Sequence, residues 1–412
     1  MTKSITGISV MCLLTLLVTS SFVVVSEAPQ QLSFSTNVER SSLSRYVLIA
    51  DAGNSHVIMV NNAGDIVREI PWLNNPTDAK LLSNGDVLIS EMDAGRVVEF
   101  NYAGGVVWQY TGLVNPVDSE RLPNGNTLIT VNPESGPDRV FEVDSSGTLV
   151  WEKTGLSGPV DAQRLSNGNT LIAEVGNNRV IEVDGSGTIV WQKTGLQFPA
   201  SAERLANGNT LIAELQAYRV IEVDPAGSIV WQKTGYEMPC DAHRLSNGDT
   251  LISDFEHGVY EVNPAGTTVW QMTNLNGPYS AYAYFSNPPN QPTINGPASG
   301  KINEPLSYSF VSTDPDNDPL FYFVDWGDSA NTGWVGPYAS NEHVNLSHTW
   351  TEKGTYVLKA KVADIYSADS DWATLSVTLP QTSNAFEPHS FLSWLLARFP
   401  HAFPILQHIL GS

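Results

Sequence analysis

Residues Asn167–Gly195 read NGNTLIAEVGNNRVIEVDGSGTIVWQKTG, and residues Asn207–Gly235 read NGNTLIAELQAYRVIEVDPAGSIVWQKTG. The copies are offset by 40 residues, and weaker copies extend the series on both sides. Asn-Gly recurs at 84, 124, 167, 207 and 247, while Trp108, Trp151, Trp191, Trp231 and Trp270 keep the same phase. Each copy divides into four short runs of strand type: Asp161–Leu165, Thr170–Glu174, Arg179–Asp184 and Thr188–Thr194 in the clearest case. Asn-Gly between two such runs is a hairpin signal, because both turn positions need positive φ. No part of the region sustains a 3.6-residue apolar period.

A period near 40 with strand content predicts propeller blades. Naming the strands A to D from the centre outward, strand A opens at Asp78, Asp118, Asp161, Ser201, Asp241 and Ser280. Strand B begins near Tyr46, Asp86, Asn126, Asn169, Asn209 and Asp249. The first B strand has no A strand before it, and the last A strand, within Ser280–Phe285, has no B strand after it. The sequence therefore predicts an all-β chain with a six-bladed β-propeller over residues 44–286. Its C-terminal A strand completes the N-terminal blade and removes the exposed edges of an open array.

Outside the repeat, Lys3 precedes an apolar run from Ile5 to Val25 that ends at Ser26-Glu27-Ala28. Residues 1–28 read as a signal peptide or a membrane anchor, which predicts an extracellular or cell-surface location. Cys12 lies in that segment, so Cys240 is the only cysteine left after cleavage and no intramolecular disulfide is expected. The chain carries 21 Lys+Arg against 43 Asp+Glu, a net charge of −22. Clustered cations for nucleic acid or anionic lipid are missing, so neither is an expected partner.

Residues 287–291 form a Pro-rich linker, and residues 292–380 alternate strands and turns as in a β-sandwich. This segment contains Asp314-Pro-Asp316-Asn-Asp318, Val324-Asp325-Trp326-Gly327-Asp328, Ser347-His-Thr-Trp350 and Gly354-Thr-Tyr356. It resembles the PKD domain, an immunoglobulin-like sandwich of exported and surface proteins. The resemblance implies a spacer or interaction module. Residues 381–412 are a polar linker and an apolar tail broken by Pro400 and Pro404. The tail resembles C-terminal tags of exported archaeal proteins. Membrane association is expected, if anywhere, through this tail or the N-terminal segment.

The chemistry is less explicit. Each A strand opens after a Pro-x pair, which puts Asp78, Asp118, Asp161, Ser201, Asp241 and Ser280 around one rim. The B strands end on the same side at Asp51, Glu91, Val131, Glu174, Glu214 and Asp254. Asp78, Asp118, Asp161 and Asp241 are candidate Ca²⁺ ligands, and Asp314, Asp316 and Asp318 are a second candidate set. The competing reading pairs these acids with Arg96, Arg179 and Arg219 and with Arg121, Arg164, Arg204 and Arg244. Departures from the repeat mark a candidate ligand site: Ser201, Tyr218, Met238, His243, His257 and Ser280. His243 and Asp241 are the catalytic candidates.

Two enzyme families share pieces of the repeat. Val183-Asp-x-x-Gly-x-x-Val-Trp191 is similar to the docking motif of pyrroloquinoline-quinone dehydrogenases, where the tryptophans pack blades together. Leu165-x-Asn-Gly-Asn-Thr-Leu-Ile172 resembles the arylsulfotransferase-type propellers, which implies a histidine nucleophile and basic residues for a sulfuryl group. No histidine recurs here, and the rim is acidic. The expected function is an exported binding protein whose propeller face takes a glycan, a surface protein or a cation-bridged ligand. An arylsulfotransferase-like enzyme and a structural envelope component are the alternatives.

Overall fold

The computed structural model describes residues 44–133 and 135–380, together with Arg398. The predicted export segment, residues 1–28, and the predicted tail, apart from Arg398, lie outside the described residues. Among the described residues no helix is long and apolar enough to cross a membrane.

Residues 44–286 form six four-stranded antiparallel sheets. Their inner strands are Pro76–Leu81, Pro116–Arg121, Pro159–Arg164, Pro199–Arg204, Pro239–Arg244 and Pro278–Ser286. Each contacts the next in that order and the last contacts the first, which makes a propeller-like ring. The first sheet takes its inner strand from the far end of the repeat. Pro278–Ser286 pairs with Ser44–Asp51 in the register Ser44 to Ser286, Leu48 to Tyr282 and Ala50 to Ser280.

Neighbouring sheets are joined by a repeated set of side chains. Trp151 Nε1 donates to the Gly185 carbonyl of the following sheet at 3.0 Å, and Trp191 to Pro225 at 2.9 Å. In return, Arg164 of the following sheet lies 4.9 Å over the Trp151 ring and 2.9 Å from Glu142. Arg204 with Trp191 and Glu182, and Arg244 with Trp231 and Glu222, repeat the arrangement. An aromatic face and a carboxylate thus share each guanidinium. Arg68 occupies the tryptophan position in the first sheet and donates to Gly85 and Asn101 carbonyls of the second at 2.8 and 3.1 Å. At the closure, Trp270 donates to Asn62, and Arg45 lies over Trp270 and pairs with Glu261.

The C-terminal sandwich packs a three-stranded sheet (Thr293–Asn295, Leu306–Val311, Val344–His348) on a four-stranded one (Asn331–Tyr338, Leu320–Asp325, Gly354–Asp364, Ala373–Leu379). Trp326 and Trp350 are buried in its core, and Trp350 Nε1 donates to the Trp326 carbonyl at 3.2 Å. Gly327 has φ +81°, and a Cβ there would meet the Val357 backbone at 2.8 Å, so the Trp-Gly-Asp motif requires its glycine. The sandwich rests on the first and second sheets of the ring. Phe321 stacks on Tyr102 at 3.9 Å, and Ala368 joins the buried cluster of Leu48, Met59 and Ile89.

The inner and middle strands carry the ring's core, whereas the outer strands leave side chains such as Val190 half exposed to solvent. Leu48→Ala should therefore lower the unfolding free energy by about 2–5 kcal/mol. Val190→Ala should change it by less than about 0.5 kcal/mol. Urea unfolding of the two variants checks the contrast.

Candidate functional site

The Pro-x-Asp/Ser motif is a β-bulge. Pro159 pairs with Glu174 and Asp161 with Ala173, so Val160 between them has no partner, and the same shift recurs in every inner strand. A bulge re-aims side chains. Here it turns two consecutive residues of each strand into one central pocket. Its wall carries Thr77, Val117, Val160, Ala200, Cys240 and Tyr279, then Asp78, Asp118, Asp161, Ser201, Asp241 and Ser280. Met92, Val175, Phe198, Leu215, Met238 and Phe255 supply an apolar collar. The space open to water-sized guests is about 80 Å³.

The recurring Asp and Ser side chains have a structural partner, and it is not arginine. Each accepts a backbone N–H from the next inner strand. Asp78 accepts from Ser119 at 3.4 Å, Asp118 from Ala162 at 3.1 Å, and Asp161 from Ala202 at 2.7 Å. Ser201 accepts from Ala242 at 3.2 Å, Asp241 from Ala281 at 3.3 Å, and Ser280 from Ala79 at 3.3 Å. A second belt lies two residues on: Glu120, Gln163 and Glu203 accept the N–H groups of Arg164, Arg204 and Arg244 at 2.8, 2.8 and 2.9 Å. The strand-A arginines pair instead with glutamates of the preceding sheet, as described above. The B-end acids follow the structural reading. Glu91, Glu174 and Glu214 pair with Arg96, Arg179 and Arg219, and each also accepts a loop N–H.

Two cations stand among the floor carboxylates. Lys80 Nζ lies 3.1 Å from Asp78 and 2.6 Å from Asp118. His243 Nε2 lies 3.1 Å from Asp241, its Nδ1 lies 3.6 Å from Glu203, and its ring packs 4.1 Å from Tyr282. Asp161 and Glu120 have no ion-pair partner among the described residues. Burial, then the pull of Lys80 and the push of Asp118, sets Asp78 at about 7. Burial and the charge of Asp118 raise Asp161 well above the ordinary carboxylate range. For His243, burial opposes protonation, but Asp241 and Glu203 outweigh it and hold the imidazole protonated well above its ordinary value.

The sequence-derived candidates separate on this geometry. Ser201, Met238, Asp241 and Ser280 line the pocket, and His243 lies against Asp241 at its floor. Tyr218 and His257 do not line it. Tyr218 sits exposed at the end of the turn Leu215–Ala217 with φ +58°, and His257 is drawn to Asp254 at 3.5 Å and Glu237 at 3.9 Å. Asp78, Asp118, Asp161 and Asp241 share the pocket but do not converge as metal ligands. Among the described residues, the group whose ligand atoms all lie within 4.8 Å is Asp314, Asp316 and Asp318. The belt explains this, since it directs each rim acid toward its neighbouring strand. Sequence reasoning passed over Lys80. Its signal was the position two residues past the rim acid, otherwise Glu120, Gln163, Glu203, His243 and Tyr282.

No protein-family model matches the chain, nor does any curated protein sequence. Among solved structures, the PKD domain of an M14-like peptidase from Thermoplasmatales archaeon SCGC AB-540-F20 is 49% identical, over 23% of this chain and 99% of that one, with a TM-score of 0.23. The C-terminal sandwich belongs to the PKD-domain family. The ring is similar in fold to a protein of unknown function from Bacteroides caccae: 18% identity, 58% of this chain, 98% of that chain, TM-score 0.51. A catalytically inactive virginiamycin B lyase variant from Staphylococcus aureus, solved with quinupristin, matches at 14% identity over 67% of this chain and 94% of that one, TM-score 0.44. The PKD domain covers the first and second sheets of the ring, and none of its residues lines the central pocket.

Phe198 stands in the left-handed region at φ +59°, where the equivalent positions hold Asn75, Asn115, Gly158 and Gly277. That conformation costs a bulky residue about 1–2 kcal/mol, and strain of this kind gathers at ligand sites. Phe198→Asn should raise the unfolding free energy by about 1 kcal/mol; a loss in urea unfolding would mean that ring packing outweighs the strain. A second expectation concerns pH. The folded-state value of Asp78, about 7, exceeds its ordinary 3.8. Its contribution to stability is therefore complete below 3.8 and is lost as pH rises through about 7. The stability difference between wild type and Asp78→Asn should turn against wild type across that window, measured by urea unfolding at stepped pH.

Proposed function

We propose that the chain is an exported surface-binding protein, with residues 44–286 as a six-bladed propeller and the PKD domain as its spacer. The propeller mouth takes a ligand that presents a cationic group beneath an apolar body, such as a lysine side chain or terminal amine of a surface protein. One observation carries this reading: a floor of Asp78, Asp118, Asp161, Asp241, Glu120 and Glu203 holds two cations, Lys80 and His243, under an apolar collar. An ammonium group inserted there meets Asp161, which lacks a cation of its own. The collar keeps water away and strengthens that attraction.

The arylsulfotransferase-like alternative has less support. A histidine nucleophile needs a free ring lone pair, and His243 is held as imidazolium between Asp241 and Glu203. A sulfate ester brings negative charge to a negative floor. A cation-bridged ligand remains the second binding reading, because the same carboxylates would attract a divalent ion.

The test is calorimetry of the full chain with n-butylammonium and, in parallel, butyl sulfate. Butylammonium should bind, more tightly at pH 8 than at pH 6, and Asp161→Asn should weaken it by about tenfold or more. Butyl sulfate should not bind. Binding of the sulfate ester alone would favour the enzyme reading, and binding of butylammonium only in the presence of Ca²⁺ would favour the cation-bridged one.

A further inference from the structure

A second acidic centre lies at the seam between the ring and the PKD domain, and the pocket does not use it. Asp314, Asp316 and Asp318 lie on one loop of the PKD domain, and Asp364 ends the strand Gly354–Asp364. Facing them is Ser286, the last residue of the ring's closing strand. Ser286 Oγ lies 2.8 Å from Asp364 Oδ2, 3.2 Å from Asp318 Oδ2 and 3.4 Å from Asp316 Oδ2. A hydroxyl has one proton and can satisfy one of these three oxygens. Asn287 donates its N–H to Asp316 at 2.6 Å.

The decisive atom is Asp314 Oδ2. Asp314 is only 6% exposed; its Oδ1 accepts the N–H groups of Asp316 and Asp318 at 2.8 and 3.1 Å, and its Oδ2 has no hydrogen-bond partner. Its ligand oxygen lies within 4.8 Å of those of Asp316 and Asp318. A buried, unpartnered carboxylate oxygen is costly unless something charged meets it. Among the described residues, no Lys, Arg or His forms an ion pair with any of the four aspartates. Burial, without an offsetting cation, pushes Asp364 up to about 7 and raises Asp314 and Asp318.

We propose that Asp314, Asp316, Asp318 and Asp364 bind one Ca²⁺ ion, with Ser286 as an oxygen donor from the ring, and that the ion clamps the PKD domain to the propeller's closing strand. Several carboxylates plus a neutral oxygen, in an irregular loop, suit the six to eight ligands and loose geometry of Ca²⁺ better than the strict octahedron of Mg²⁺. The four acids stand on the PKD side of the seam, and the ion would tie them to Ser286 on the ring side. The ring strand that receives this load is the one that closes the ring.

The experiment is calorimetric titration of the chelator-treated full chain with CaCl₂, and separately with MgCl₂, followed by limited proteolysis of the linker, residues 287–291. One Ca²⁺ per chain should bind, with protection of the linker and a higher melting temperature. Asp316→Asn, on an exposed side chain, should keep the fold and weaken uptake by about tenfold or more. Asp161→Asn, in the central pocket, should leave this uptake intact, which separates the clamp from the pocket reading. Absence of Ca²⁺ uptake by the wild-type chain, or uptake unchanged in Asp316→Asn, would overturn the proposal and leave the seam as a network of protonated carboxyl groups. Uptake without linker protection would overturn the clamp.

Discussion

The central constraint is the closed belt of hydrogen bonds from the rim side chains to the backbone of the next inner strand. Six inner strands meet around a narrow axis, and each is the edge strand of its sheet, so the N–H groups on its unpaired side have no ladder partners. An Asp or Ser side chain from the preceding sheet supplies each acceptor. Both residue types have a short reach and an acceptor oxygen, which is why they interchange at this position. The belt is continuous through Ser280, so it depends on the strand that arrives from the far end of the repeat. Strand closure and central hydrogen bonding are therefore one event.

That arrangement also determines the chemistry of the mouth. A carboxylate engaged only by a neutral N–H is left without a countercharge, and burial then raises Asp78 and Asp161, whereas one paired with arginine would be neutralised. The arginines are drawn outward, to the tryptophan faces and strand-C glutamates between sheets. What stays at the axis is a ring of partly compensated acids, relieved unevenly by Lys80 and His243. The uneven relief gives a nearly symmetrical ring one side that differs from the others, and Asp161 lies where compensation is weakest.

Much of this was legible in the sequence, but unequally. The 40-residue period, the Asn-Gly turns and the unmatched first and last strands carried the sheet order, because turn chemistry and strand alternation are local properties. Trp326-Gly327-Asp328 carried the sandwich, since Gly327 leaves no room for a Cβ. The partners of the rim acids were not legible. Pairing Asp with Arg was one of the two readings that composition allowed, but the acceptors were needed by backbone N–H groups on the unpaired edge of the next inner strand. Tyr218 and His257 looked like pocket residues because they break the repeat, yet in those turns it is Leu215 and Phe255 that line the pocket. Asp364 lies nearly fifty residues beyond the Asp314 loop, and no spacing rule connects them.

The two acidic centres obey different physics, although each is a cluster of aspartates. At the mouth, every rim acid has a backbone donor, so the fold is satisfied before any ligand arrives, and the surplus charge is available for recognition. At the seam, Asp314 Oδ2 has no donor, and three further oxygens crowd one hydroxyl, so the fold is incomplete without a cation or protons. A site of the first kind is free to bind and release without changing how the protein is held together. In a site of the second kind, occupancy and assembly are the same equilibrium. Ser286 ends the strand that closes the ring, so the second centre bears on the first through the backbone they share.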